Sequence, residues 1–183
     1  GGFTTGAYGP RYNDIGVTST GIVYAAGSYL DVNLATSNTV NKGVWRSTDG
    51  VSWTNITPAA FPSQYGRIVM GIAPSNGNIL YFLVQGANGS EGTNQINTHQ
   101  FWQYTYTQGV GNGNGSEGNG GTWVNRGQNL PNEVGVSGNA VFDTQGGYDM
   151  LVRVKPDDPN FVIVGSTNLY RSTDGFATTT SWK

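Results

Sequence analysis

One short phrase occurs twice in this chain. Trp45-Arg46-Ser47-Thr48-Asp49-Gly50 recurs as Tyr170-Arg171-Ser172-Thr173-Asp174-Gly175. Five consecutive identities after an aromatic, within 183 residues, mark a repeated structural unit rather than coincidence. A second repeat supports this. Arg67-Ile68-Val69-Met70-Gly71-Ile72-Ala73-Pro74, followed by the apolar run Ile79-Leu80-Tyr81-Phe82-Leu83-Val84, is matched by Asp149-Met150-Leu151-Val152-Arg153-Val154-Lys155-Pro156, followed by Phe161-Val162-Ile163-Val164. One constant offset places Pro156 over Pro74 and Phe161 over Ile79. A weaker copy runs from Asp14 to Thr18, turns at Ser19 to Gly21, and continues from Ile22 to Ala26.

Each unit reads as strand, tight turn, strand, loop, strand, loop, strand. Strands are expected at roughly 14–18, 22–27, 43–47 and 52–56, then 67–73, 79–85, 100–107 and 122–126, then 149–155, 161–165 and 168–172. No segment holds a helical period. Four short antiparallel strands per unit, repeated at intervals of several tens of residues, are the pattern of β-propeller blades. The expectation is therefore an all-β chain, 1–183, forming one partial propeller. Blade 1 spans about 13–60, blade 2 about 65–131 and blade 3 about 148–183, the last without its fourth strand. Three blades do not close a ring, which takes four to eight. The chain is thus expected to be a fragment of a larger propeller, or to be completed by another chain. It opens on Gly1-Gly2, with neither Met nor a basic-then-apolar leader, and reads as a piece of something longer.

Composition narrows the function. The 29 glycines, 7 prolines and 12% aromatics suit many turns between short strands, and 11% charge is too little for a coiled coil. A net charge of -2 argues against nucleic acid as partner. The longest apolar run, Ile79 to Val84, is a strand rather than a membrane span. There is no Cys and His99 is the single His, so neither a thiolate metal site nor a Ser-His triad is available. No metal and no cofactor is expected.

Ser47-Thr48-Asp49-Gly50-Val51-Ser52-Trp53 resembles the Asp-box, the bacterial neuraminidase repeat, written Ser-x-Asp-x-Gly-x-Thr-Trp. This copy is one residue shorter between Asp49 and Trp53. Ser172-Thr173-Asp174-Gly175 reaches Trp182 only after an insertion, and the middle unit replaces the box with a Gly/Asn loop at 109–121 leading to Trp123. The resemblance implies a structural role for Ser47, Asp49, Gly50 and Trp53, and for Ser172, Asp174, Gly175 and Trp182. In such families the box lies on the outer edge of a blade, away from the active site. Physically, a carboxylate in a tight turn accepts backbone N–H groups, and Gly50 and Gly175 supply a positive φ. Trp53, Trp123 and Trp182 are expected to pack between blades. The fold it implies is similar to that of sialidases, sortilin-type receptors, xyloglucanases and large secreted proteins of Bacteroidetes. The phrase from Asn168 to Thr179 is most similar to the last group, whose members often leave by type IX secretion; this implies a secreted or cell-surface protein.

Function is expected where loops gather at one end of the blades. Tyr29, Asp31 and Asn33 in the first long loop, with Asn94, Asn97, His99 and Trp102 in and after the second, offer amides and rings suited to sugars. Asp14, Arg67 and Asp149 begin the first strands. They read either as a glycosidase acid/base set or, preferably, as an ion-paired cap. Arg46 and Arg171 are expected to point outward, which leaves no arginine trio for a sialate carboxylate. The preferred function is non-catalytic recognition, adhesion or glycan binding at a cell surface, with carbohydrate as partner. The alternative is part of a sialidase- or xyloglucanase-like glycoside hydrolase completed by further blades.

Overall fold

The computed structural model describes residues 11–28, 42–63, 65–86, 99–108, 120–131 and 142–183. Three antiparallel sheets follow one another along the chain. The first is β1 (Arg11–Val17), β2 (Val23–Ser28), β3 (Gly43–Ser47) and β4 (Thr54–Asn55). The second is β5 (Tyr65–Ile72), β6 (Ile79–Gly86), β7 (Gln100–Thr105) and β8 (Thr122–Asn125). The third is β9 (Leu151–Lys155), β10 (Asp158–Gly165) and β11 (Leu169–Ser172). In each sheet the strands pair in chain order, each antiparallel to the next, as in a meander. The third sheet also carries the start of a fourth strand. Trp182 bridges Ser172, while Arg171 and Lys183 exchange N–H···O bonds at 3.0 and 2.9 Å. The expectation that blade 3 stops after three strands is corrected to that extent.

The sheets stack through their first strands. β5 lies against β1 on one side and β9 on the other. Side chains replace a backbone ladder at the first junction: Asn13 Oδ1 accepts the Ile68 N–H at 3.1 Å and Asp14 Oδ2 accepts the Met70 N–H at 2.8 Å. Radially stacked four-stranded meanders with adjacent first strands are consecutive propeller blades.

Strand β6 shows why this sequence stacks. Its residues alternate between faces, and both faces are covered. Leu80, Phe82 and Val84 pack toward Tyr24, Val44 and Ile56 of the first blade. Tyr81 and Leu83 pack toward Val152, Val162 and Val164 of the third. A sheet buried on both faces reads as an unbroken apolar run, as Ile79 to Val84 does. Each such side chain contributes about 1.5–3 kcal/mol on burial.

Aromatic rings seal the first junction. Trp123 lies 4.8 Å from Tyr104 and 5.2 Å from Phe82 of its own blade, and 6.3 Å from Phe61 in the segment that joins the first blade to the second. Trp182 packs edge-on against Tyr170 of its own blade, at 5.8 Å. Arg46 departs from expectation. Instead of pointing outward, it sits over the Tyr106 ring of the second blade at 4.0 Å and donates Nε–H to Tyr24 Oη at 3.3 Å. Arg171 is exposed.

Candidate functional site

The two Ser-Thr-Asp-Gly turns join third to fourth strands at the end of the blades that also carries the β1–β2 and β5–β6 turns. In the first, Asp49 Oδ1 accepts the Val51 and Ser52 N–H groups at 2.8 and 2.7 Å and the Ser47 hydroxyl at 3.0 Å. The Gly50 N–H donates to Ser47 Oγ at 2.8 Å. The Ser52 and Val51 amides, then the Ser47 hydroxyl, hold the Asp49 carboxyl down at about 2. In the second turn Asp174 Oδ1 accepts the Ala177 N–H at 3.0 Å and the Ser172 hydroxyl at 2.8 Å, and Oδ2 accepts the Thr178 hydroxyl at 2.9 Å. Partial burial opposes ionisation of Asp174, but the hydroxyls of Ser181, Ser172 and Thr178 and the Ala177 amide outweigh it and leave the carboxyl at about 2. A carboxylate this well satisfied is a poor proton donor at neutral pH and a poor nucleophile. Both turns use their Asp to hold a hairpin.

The second turn does more than the first. Arg126, just after β8, donates Nη1–H to the Asp174 and Gly175 carbonyls at 3.0 and 2.7 Å and Nη2–H to Gln103 Oε1. Asn129, in a 3-10 turn over Gly127–Asn129, donates to the Phe176 and Ala177 carbonyls at 2.8 and 2.9 Å. The second blade thus clasps the third through backbone oxygens. Sequence reasoning missed this clasp, because its acceptors carry no side-chain signature.

The opposite end of the blades carries the starts of β1, β5 and β9, the end of β6 and the start of β7. Here the residues read as an ion-paired cap, or alternatively as an acid/base set, have other partners. Asp14 Oδ1 accepts the Ile15 N–H at 2.9 Å while Oδ2 holds Met70, so both oxygens serve the backbone. Arg67 donates Nη1–H to the Gly147 and Tyr148 carbonyls at 2.9 and 3.1 Å, not to a carboxylate. Asp149 is exposed. The expected ion-paired cap is therefore replaced by arginine-to-carbonyl bonds. The ion pair present among the described residues, Lys155–Asp157 at 2.6 Å, belongs to the β9–β10 turn at the other end.

Two of the expected sugar contacts lie inside. His99 is 5% exposed, between the Gly86 N–H and the Thr144 hydroxyl, both at 3.4 Å. Burial pushes its imidazole down to about 4 against a smaller opposing pull from Asp143, so the ring is neutral. Trp102 is 3% exposed, with its Nε1–H on Gln100 Oε1 at 2.8 Å and its ring tilted against Phe61 at 5.6 Å. Neither ring meets solvent: Trp102 is turned inward by β7, and His99, one residue before that strand, is held between Gly86 and Thr144. Tyr29, Asp31, Asn33, Asn94 and Asn97 lie outside the described residues.

A different aromatic occupies this end. Tyr148 is 84% exposed. It follows a left-handed turn with φ of 46° at Gln145, 68° at Gly146 and 93° at Gly147. The turn is tied at many points: the Thr144 carbonyl accepts the Gly147 and Asp149 N–H groups at 2.9 and 3.1 Å, and Asp143 Oδ1 accepts the Gln145 N–H at 2.8 Å. Gly147 rests directly on the buried Gln85 amide. A Gly pair ahead of a first strand was the sequence signal for this turn.

No protein-family model matches the chain, and no curated protein matches it. Among solved structures it is similar to the crystal structure of a GH74 enzyme from Niastella koreensis. That likeness has 20% sequence identity and a TM-score of 0.46, and covers 95% of this chain. The chain spans 23% of the length of that enzyme. Among the described residues no helix is long and apolar enough to cross a membrane.

Proposed function

We propose that this chain is three consecutive blades of a larger Asp-box propeller, secreted or displayed at a cell surface, that binds carbohydrate without cleaving it. The observation that carries the non-catalytic half is the use of Asp14 and Arg67. A retaining or inverting glycosidase needs two carboxyl groups free to reach a glycosidic bond. Asp14 has both oxygens on backbone amides, and the adjacent guanidinium is spent on carbonyls. The Asp-box reading is supported by the shared hydrogen-bond pattern of the Asp49 and Asp174 turns. The larger ring is supported by the sheet faces: blade 2 is covered on both, whereas Ile15 and Val17 of the first blade and Leu169 of the third stand exposed on faces that a neighbouring blade would cover.

The test is binding of the purified protein to a panel of neutral and sialylated glycans, with release of reducing ends followed in parallel. Binding without release is expected. Release that disappears in Asp149→Asn replaces this reading with a glycoside hydrolase, and binding to no glycan overturns the carbohydrate reading altogether.

A further inference from the structure

Resting on that carbohydrate reading, we propose that Tyr148, with Asp149 and Gln145 beside it, forms a stacking subsite for the ring of a neutral sugar. Other exposed apolar residues, such as Ile15, Val17 and Leu169, lie on sheet faces and continue the apolar chemistry of the covered faces. Tyr148 lies on no sheet. It precedes β9 by a turn, at the end of the molecule where the first strands begin.

The surroundings of this ring are over-determined. Gln145 holds a left-handed φ of 46°, which costs a non-glycine residue about 1 kcal/mol or more. Arg67, from the neighbouring blade, bonds the Gly147 and Tyr148 carbonyls, the two that flank the Tyr148 Cα. Thr144, which closes the turn through its carbonyl, is itself buried and held to His99. Two blades, a strained residue and a buried hydroxyl–imidazole contact thus fix the backbone under one exposed phenol. A solvated loop needs none of this. A binding platform gains from it, because a ring carried on a fixed backbone has less freedom to lose on contact.

The chemistry selects the ligand class. A phenol ring offers an apolar face with a polar tip, matching the C–H face of a pyranose whose hydroxyls are equatorial. Asp149 is exposed and accepts hydroxyl donors, as the Gln145 side-chain amide can from its own exposed position. The nearest arginine, Arg67, directs Nη1 to carbonyls, and Asp143 and Asp149 flank the turn. That balance disfavours a sugar carboxylate and suits a neutral ring.

The experiment measures binding of cellohexaose, xyloglucan heptasaccharide, mannohexaose and sialyllactose to wild type, Tyr148→Phe and Tyr148→Ala by calorimetry, with a thermal melt of each variant. At least one neutral oligosaccharide should bind wild type and Tyr148→Phe comparably, and Tyr148→Ala at least about tenfold more weakly, with unchanged melting. In wild type, the same sugar should slow nitration at Tyr148, read by peptide mapping, whether or not the alanine variant folds. Equal binding by Tyr148→Ala, or nitration indifferent to sugar, overturns the subsite and leaves the carbohydrate reading standing. Binding of sialyllactose alone overturns the neutral class. Binding of none of the four, by a protein that also fails on the wider glycan panel, removes both.

Discussion

Gly50 and Gly175 occupy the same position in the same repeated phrase, and alanine at each should have very different costs. Both have left-handed φ, 74° and 66°. Alanine there costs about 1–2 kcal/mol from the Cβ–carbonyl clash alone. At Gly50 that is the whole effect, since a Cβ would meet nothing within 4 Å. At Gly175 a Cβ would collide with Tyr81 Oη, and would lie 2.8 Å from Arg126 Nη1 and 3.1 Å from Tyr81 Cε1. Tyr81 cannot swing aside: its ring is fully buried and stacked on Phe101 at 5.6 Å and 12°. Its hydroxyl donates to the Pro159 carbonyl at 3.0 Å and accepts from Gln103 Nε2 at 3.1 Å. Losing those two bonds costs about 1 kcal/mol each, and overpacking a further 1–3 kcal/mol or so. Gly175→Ala should therefore exceed Gly50→Ala by roughly 3–5 kcal/mol, a melting temperature lower by at least about 6 °C in a chain of this size. Paired thermal and urea melts measure the gap. Tyr81→Phe combined with Gly175→Ala should recover about 1 kcal/mol or more relative to additivity, because the colliding oxygen is gone. Equal melts for the two glycine variants, or strict additivity in the cycle, would refute the packed second turn.

Two other perturbations test the clasp and the buried imidazole. Arg126→Lys keeps the charge but loses the planar fork that reaches Asp174, Gly175 and Gln103 together, and should destabilise by roughly 2–3 kcal/mol, read as a lower urea midpoint at unchanged m. His99 has its folded pKa lowered from 6.5 to about 4, chiefly by burial, so the native state binds fewer protons than the unfolded chain between those values. Its contribution is complete above pH 6.5 and is lost as pH falls toward 4, on the order of 3 kcal/mol across the window. His99→Asn should flatten that slope in urea melts taken at successive pH values; an unchanged slope would assign it to other groups.

The blades were legible because their signals are local and periodic. The run from Ile79 to Val84, the aligned Pro74 and Pro156, and the paired Ser-Thr-Asp-Gly phrases each specify a strand or a turn from nearby residues alone. Strand ends came within a few residues, with β10 starting earlier than expected, at Asp158, because a bulge lets Asp158 pair with Lys155 before the regular ladder begins at Val162. The site was less legible. His99 and Trp102 were read as sugar contacts because they follow a polar stretch, yet His99 just before β7 and Trp102 within it belong to the core. Asp14 and Arg67 read by residue type as an ion-paired cap or an acid/base set, and only the structure shows that their partners are main-chain atoms. Contacts from side chain to distant backbone leave no pattern in sequence, since every residue supplies the same acceptor.

The open faces of the outer blades differ from one another, and the difference bears on how a larger ring would be assembled. On the first blade Ile15, Val17, Val23 and Trp45 share the face turned away from the second blade, since Ile15 pairs with Ala25, Val17 with Val23 and Ala25 with Trp45. Among the described residues that face carries no charge. On the third blade the equivalent face carries Arg153, Ile163, Leu169 and Arg171, with Lys155 at its edge. Covering the first face is driven by apolar area alone, and Ile15 and Val17 are still 65% and 61% exposed, so most of that gain is unrealised in these blades by themselves. Covering the third face also desolvates cations, which is unfavourable unless the incoming surface brings carboxylates. On the propeller reading, the blade that meets the first face is therefore apolar and weakly selective. A blade that meets the third would have to bring carboxylates to those cations.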